Sequence, residues 1–589
     1  MRAPRPSRGK AWLQAGITAG LIILVCSATS TEGTPRARPV DDARELVRAF
    51  ATGDLAREGL ERCHRYLLAW LKTADPATGL IPRNLKDSHY WNGKDSAADN
   101  YPFMVLSALL TDRALFEGRM KDMLAAEQRL TRRDGWRSLT DDFSLDTHRL
   151  AQPTGDPTRI IFNSAEYVKD GLMPLTEWLG PSEWSRRLVG LLDDIWAVAK
   201  VETPFGRIPL DGKNAEVGVE VNGDLLQALA RVYWMTGRDE KYLRWGCRLA
   251  DYYLLPQGGH HPSRDFTVLR LRDHGCEILT GLSELYATLH LAGGLPGGEP
   301  WAAKKAQYQP HLHELLDRVL QVGRNEHGLF FNAVNPQTGE VGGRGGPADT
   351  WGYVADGFYT VYLVDGKAAY HDAALKPLGA LREHYSRYAW EPDGSPLGSA
   401  DGYADSIEGA LNLLNRAPDH ADAASVEAWL DTETRVMWEK QRPDGIVEGW
   451  HGDGNFARTT IMYCLWKTQG VTLQPWRQDL RLGAARAGDR LLLTLRSDRP
   501  WKGRLIFDRP RHAEHLKLPL DWPRINQFPE WFVVKAGRTY GVTYVRTDLR
   551  RTHSAAEMRQ GLSVETDGRS ELRLAVEERA LPGLRTAGR

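Results

Sequence analysis

The sequence predicts a mainly α protein: an (α/α)6-type toroid of about six helical hairpins, followed by a C-terminal β-sandwich. Three features predict it. Apolar residues keep a helical spacing from Asp41 to about Gly470, in roughly fourteen stretches that mostly fall in adjacent pairs. A turn of small polar residues, glycine and an apolar residue recurs between those stretches. After Gln474 the helical spacing gives way to short alternating or β-branched runs bounded by turn residues.

In chain order, Arg2, Arg5, Arg8 and Lys10 precede an apolar run over Ala15–Val25 and the small residues Ser27, Ala28, Thr29 and Ser30. That is the pattern of a secretory signal peptide over residues 1–30. Its apolar core is short against the roughly 20 residues of a membrane span. A secreted or periplasmic protein is expected, with an uncleaved signal anchor as the alternative and no other membrane contact. Residues 31–40 read as a disordered polar leader.

Helices are predicted over 42–74, 97–117, 119–132, 164–180, 182–200, 219–236, 239–254, 274–292, 302–323, 350–364, 371–388, 404–415, 423–441 and 456–468. The stretch Asp401–Gly470 displays the pattern most plainly. Ile407, Ala410, Leu411, Leu413 and Leu414 mark one helix face, and the helix near 456–468 is apolar on most faces, which implies burial. The recurring turns are Thr78-Gly79-Leu80, Phe205-Gly206-Arg207-Ile208, His327-Gly328-Leu329 and Asp444-Gly445-Ile446. Such hairpins cannot bury their faces alone, and the lack of a tight repeat period favours closure into a ring over an open solenoid. The toroid is assigned to 41–472 and the β-sandwich to 473–578, with strands at Asp479–Ser497, Gly503–Phe507, His515–Leu518, Trp531–Lys535 and Tyr540–Val545; 579–589 is a tail.

Lys+Arg and Asp+Glu both number 76, which gives no reason to expect nucleic acid or an anionic membrane as partner. Cys63, Cys247, Cys276 and Cys464 lie in helical, partly apolar contexts and read as buried free thiols. No cofactor is predicted and no metal site: adjacent His260 and His261 face apart, His311 and His313 do not share a helix face, and Gly342–Pro347 lacks the Lys-Ser/Thr of a phosphate loop.

In a ring of hairpins the inner helices run parallel, so their N-termini gather on one rim where free N–H groups favour carboxylates and polar ligands. Acids recur before these helices: Asp99, Asp170, Asp224, Asp356, Asp405 with Glu408, and Asp453. N-capping accounts for Asp and Asn at such places. It accounts less well for the accompanying Tyr101, Arg272, His274, Trp351, Tyr403, Trp450, His451 and Arg458. Carboxylates with aromatic platforms in one concavity suit a sugar site, the rings stacking on pyranose faces and a pair of acids serving glycoside cleavage.

Asp-headed inner helices, with the motifs Asp99-Asn100-Tyr101-Pro102-Phe103, Val221-Asn222-Gly223-Asp224 and Trp450-His451-Gly452-Asp453-Gly454-Asn455, resemble the six-hairpin glycosidase and (α/α)-toroid polysaccharide lyase group over residues 45–470. The resemblance implies an enzyme that cleaves a poly- or oligosaccharide, one with acidic sugars expected, and the signal pattern makes it an exported one. As a hydrolase it would use Asp99 or Asp170 across the ring from Asp405 or Glu408. Asn100, Tyr101, Asp224, Arg272, His274, Trp351, Tyr403, Trp450, His451, Asp453, Asn455 and Arg458 would bind substrate. The alternatives are a lyase acting on uronic-acid polymers through Tyr101, His274, Tyr403 or His451, with Asn455 or Arg458 neutralising the substrate carboxylate, and a non-catalytic sugar- or protein-binding toroid.

Overall fold

The computed structural model describes residues 39–214, 217–342, 345–391 and 394–579. The signal segment, all but the end of the leader and most of the expected tail lie outside them. Among the described residues no helix is long and apolar enough to cross a membrane.

Helices alternate between an outer and an inner layer. The outer ones are Pro39–Thr73, 113–130, Glu183–Ala197, Glu240–Leu254, Glu299–Val322, 368–384 and Ala423–Trp438. The inner ones are 93–111, 157–179, Val217–Met235, Glu277–Gly293, Trp351–Asp365, Asp401–Arg416 and Asn455–Lys467. Each inner helix packs on the next, and Asn455–Lys467 closes the ring against Tyr101–Thr111. The expected toroid is therefore present, with seven pairs among the described residues, one more than the six-hairpin expectation. Burial separates the layers as the apolar patterns require: every residue of Asn455–Lys467 is buried, whereas Glu240–Leu254 buries one face. At Gly352 and Gly409 two inner helices meet backbone to backbone, where an added Cβ would lie 2.3 Å from the opposing Cα.

Connections at the two ends of the ring differ in length. Links from inner to outer helices are short (112, 180–182, 236–239, 294–298, 366–367, 417–422), whereas those leading into inner helices are long (74–92, 131–156, 198–216, 255–276, 323–350, 385–400, 439–454). Long loops thus crowd the rim where the inner helices begin. The recurring turn glycines Gly79, Gly206, Gly328 and Gly445 all have positive φ, between 77° and 106°, so the repeated motif marks left-handed turns that favour glycine. The apolar residues that follow, Leu80, Ile208, Leu329 and Ile446, are buried.

Two antiparallel sheets form the C-terminal domain. One has the order 549–554, 539–544, 572–579, 490–496, 481–487, and the other 562–566, 501–506, 472–474. They enclose a core of their own, including Leu491, Leu493, Trp501, Leu505, Val542, Val564 and Val576. Strand Arg481–Ala487 lies along helix Pro39–Thr73, where Thr52 Oγ1 donates to the Ala484 carbonyl and accepts from its N–H. Cys63, Cys247, Cys276 and Cys464 are buried and unbridged.

Two expected strands are not strands. His515–Leu518 and Trp531–Lys535 belong to an irregular excursion over residues 508–534 that leaves the sandwich and enters the toroid. Within the excursion Leu516, Leu518, Trp522, Ile525 and Phe528 join the toroid core, whereas Phe532 and Val534 return to the core of the sandwich. Trp522 Nε1 donates to Glu284, Asn415 donates to the Glu530 carbonyl, and Glu177 faces Arg511, His512 and Arg524. Glu177 and Asn415 lie near the C-terminal ends of their inner helices and Glu284 at the middle of its own, so the excursion plugs the ring from the end opposite the long loops.

Candidate active site

Two neighbouring inner helices are π-helical where they reach the rim, over Gly93–Asn100 and Tyr167–Leu172. π-Turns are rare and concentrate at functional sites. These two bear Asp95 and Asp99, and Lys169 and Asp170. Gly93 and Gly171 allow the segments to touch, since a Cβ on Gly171 would meet the Ala97 carbonyl at 2.8 Å.

Three charged groups line the inside of this rim. In the first, Arg458 Nη2 lies 2.6 Å from Asp405 Oδ1 and 3.0 Å from Glu408 Oε2, and Tyr353 donates to Asp405 at 2.7 Å. Arg458 Nη1 donates to the side-chain oxygens of Asn455 and Asn526. Burial, reinforced by the Asp405 charge and opposed by Arg458, pushes the Glu408 carboxyl up to about 7.

The second group surrounds Lys169, whose Nζ lies 2.5 Å from Glu277, 2.8 Å from Asp170 and 3.9 Å from Asp224. Glu166 completes it. Burial and mutual repulsion raise Glu166 and Asp224 well above the usual carboxylate range, while the surrounding acids overcome burial and keep Lys169 charged.

The third group stands nearest the opening. His451 Nε2 faces Asp99 at 3.7 Å and Asp95 at 3.9 Å, and its Nδ1 lies 3.1 Å from the Gly452 carbonyl. Burial alone would lower this imidazole, but Asp95, Asp99 and Asp453 raise it above its ordinary value. Asp453 accepts from the Ala400 N–H, and Asn455 donates to Asp401 Oδ1 at 2.6 Å. Asp401 is raised well above the usual range, by burial first and then by Asp405, Asp453, Glu391 and Asp99. Asp401 thus lies among carboxylates paired to Arg458 and His451, in surroundings that favour its neutral form.

Asp99 and Asp405 keep 13% and 12% of their side chains exposed, whereas Glu408 has none. The expected residues therefore form two tiers: Asp99, Asp405 and His451 near the opening, and Asp170, Asp224, Glu408, Asp453 and Arg458 beneath. Trp450 is 60% exposed on the lip, an aromatic face open to a ligand. Tyr403 is buried under the Lys440 ammonium. Arg272 is part-exposed and pairs with Asp349 at 3.3 Å. The side chain of His274 lies outside those described.

Three expected substrate contacts are committed elsewhere. Tyr101 is fully buried, donating to the Met120 carbonyl and accepting from Trp184 Nε1. Trp351 is fully buried between inner helices with Nε1 on Ser406 Oγ. Asn100 accepts from Tyr66 at 2.5 Å inside the core. Aromatic residues at inner-helix starts can serve the ring's packing as readily as a ligand.

Two sets of candidate metal ligands fall at the rim, Asp95–Asp99–His451 and Glu166–Asp170–Asp224, with ligand atoms within 4.8 Å of one another in each. Lys169 already supplies a cation to the second. In a third set, His261–His311–Glu314, Arg264 stands between His311 and Glu314.

No protein-family model matches the chain, and no curated protein matches it. Solved structures resemble it in part. An inactive variant of the α-1,6-mannanase GH76A of Salegentibacter sp. HEL1_6, in complex with α-1,6-mannotetrose, aligns with TM-score 0.38 and 10% identity over 69% of this chain and 98% of that one. A family 76 glycoside hydrolase from a bovine Bacteroides thetaiotaomicron strain aligns with TM-score 0.36 and 13% identity, over 58% and 76%. An unsaturated glucuronyl hydrolase specific for heparin aligns with TM-score 0.35 and 9% identity, over 70% and 96%. Likeness at this level says nothing of chemistry, which rests on the residues themselves.

Sequence reasoning missed Asp95, Glu166, Lys169, Glu277, Tyr353, Asp401 and Asn526. A signal for several was present. Asp95–Asp99, Glu166–Asp170, Glu220–Asp224 and Asp401–Asp405 are acid pairs four residues apart, and like charges at that spacing weaken a helix.

Proposed function

We propose that the protein is an exported glycoside hydrolase that cleaves a poly- or oligosaccharide at the long-loop rim of its toroid. The observation that carries this reading is Asp401, a part-exposed carboxyl raised well above the usual range by burial and then by neighbouring acids, close to Asp99, which stands beside His451. Glycoside cleavage needs such an unequal pair, an acid to protonate the leaving oxygen and a carboxylate on the other face of the sugar. Asp401 would give its proton to the glycosidic oxygen. Asp99 would take a proton from the water that attacks the anomeric carbon, and Trp450 would stack on a sugar at the lip. Asp405, fixed by Arg458 and Tyr353, supplies the charge that keeps the proton on Asp401.

The rim also bears on substrate class. Asp95, Asp99, Asp405, Asp453 and Glu391 crowd it beside the neutral Asp401, whereas Arg83, Arg272, Arg458 and His451 each face a carboxylate. Such a field repels a uronate, so we read the substrate as a neutral glycan rather than the acidic one expected from sequence.

Assaying the chain from Thr31 on neutral and uronic-acid glycans, with reducing ends and ultraviolet absorbance of a new C=C bond followed together, tests the reading. Reducing ends without absorbance on a neutral glycan are expected. Absorbance rising with reducing ends would make it a lyase. Binding without either signal would make it a sugar-binding toroid.

A further inference from the structure

The excursion that plugs the toroid brings one residue of the C-terminal domain to the centre of the ring. Asn526 is buried, and it uses its backbone N–H and both side-chain polar atoms, each on a different inner helix. Its backbone N–H donates to Glu408 Oε1 at 2.6 Å, its Nδ2 donates to Asp170 Oδ1 at 2.5 Å, and its Oδ1 accepts from Arg458 Nη1 at 2.7 Å. The amide can sit only one way round, because a carboxylate accepts and a guanidinium donates. Its backbone is left-handed, with φ 60°, a conformation that asparagine adopts more readily than most non-glycine residues. Anchoring alone does not require this. Trp522 on Glu284, Arg524 and His512 around Glu177, and Arg416 on Asp521 already fasten the excursion.

We propose that Asn526 is a positioning residue of the active site, a neutral donor–acceptor that keeps Asp170, Glu408 and Arg458 in register from below. Through Arg458 it sets the place of Asp405, the rim carboxylate 2.6 Å away. The C-terminal domain on this view completes the site rather than decorating it. An acid at position 526 would repel both carboxylates. The inference rests on the hydrolase reading for its effect on turnover, but not for its effect on the carboxyls.

Asn526→Gly tests it in the full chain, since glycine accepts the left-handed backbone and keeps the N–H to Glu408 while removing the amide. Asn526→Asp is the second variant, equal in size but charged. Steady-state kinetics on the best glycan, thermal unfolding, and an infrared titration of the protonated carboxyls would be compared with the native protein. The expected result for Asn526→Gly is a folded protein with KM within about twofold, kcat lower by 10- to 100-fold, and displaced pH–rate and carboxyl titrations. Asn526→Asp should displace them further. Unchanged kcat, pH profile and carboxyl titration, whatever happens to the melting temperature, would overturn the proposal. A displaced carboxyl titration in a protein whose native form cleaves no glycan would support the positioning role and fault the hydrolase reading instead.

Discussion

Arg458 Nη2 lies 2.6 Å from Asp405 Oδ1, and Asp401 stands one helical turn before Asp405 on helix Asp401–Arg416. The guanidinium anchors the second acid in place, and the charge of that acid is the largest of those that raise the first above the usual carboxylate range. Two aspartates one turn apart are thereby given opposite tasks. Their surroundings, not their chemistry, tell them apart.

Glu408 carries a stability signature. Its folded value of about 7 exceeds its ordinary 4.5, so its contribution is complete below pH 4.5 and is lost as pH rises through 7. Glu408→Gln should flatten the fall in unfolding free energy across that window by up to about 3 kcal/mol. Urea unfolding at pH 4.5, 6 and 8 measures it, and parallel pH curves for the two proteins would contradict it.

His512 governs the alkaline side. Against the effect of burial, Asp521, Glu177 and Glu530 raise it from 6.5 to about 9, so the docking of residues 508–534 is fully supported below pH 6.5 and weakens through pH 9. The melting temperature should fall over that range in the native protein. In His512→Gln it should start several degrees lower and stay nearly level.

Trp450, largely exposed, contributes little to folding. Trp450→Ala should leave the melting temperature within about a degree and weaken glycan binding by 1–3 kcal/mol, the scale of one lost stacking face. Calorimetric titration with an oligosaccharide substrate reads both the affinity and the heat.

Gly409→Ala should destabilise without touching the chemistry. The new methyl would lie 2.7 Å from Gly352 Cα, so two inner helices must separate. A loss of about 1–3 kcal/mol is expected from overpacking, read as a lower midpoint in urea.

Much of the architecture was legible because it is local. Helical spacing, Gly79, Gly206, Gly328 and Gly445 at left-handed turns, and the buried helix after Gly454 all follow from residues close in sequence. The seventh helix pair was within reach, since fourteen stretches make seven hairpins. The π-turns under Asp99 and Asp170 were not legible, because nothing in composition distinguishes that winding from an α-helix. Tyr101 and Trp351 misled because an aromatic at a helix start looks the same whether it faces a ligand or a neighbouring helix. Asn526 was beyond reach: its partners at Asp170, Glu408 and Arg458 lie 356, 118 and 68 residues away, and only the folded ring brings them together.

The proton on Asp401 is the central claim, and leaving-group dependence tests it most directly. Asp401→Asn would be compared with the native protein on a natural glycan and on an aryl glycoside of the same sugar, whose leaving group needs no proton. If Asp401 is the general acid, turnover of the natural glycan falls by about 100- to 10,000-fold while the aryl glycoside loses little. Equal losses on both substrates, or none on either, would contradict it and move the acid to another of the rim carboxyls.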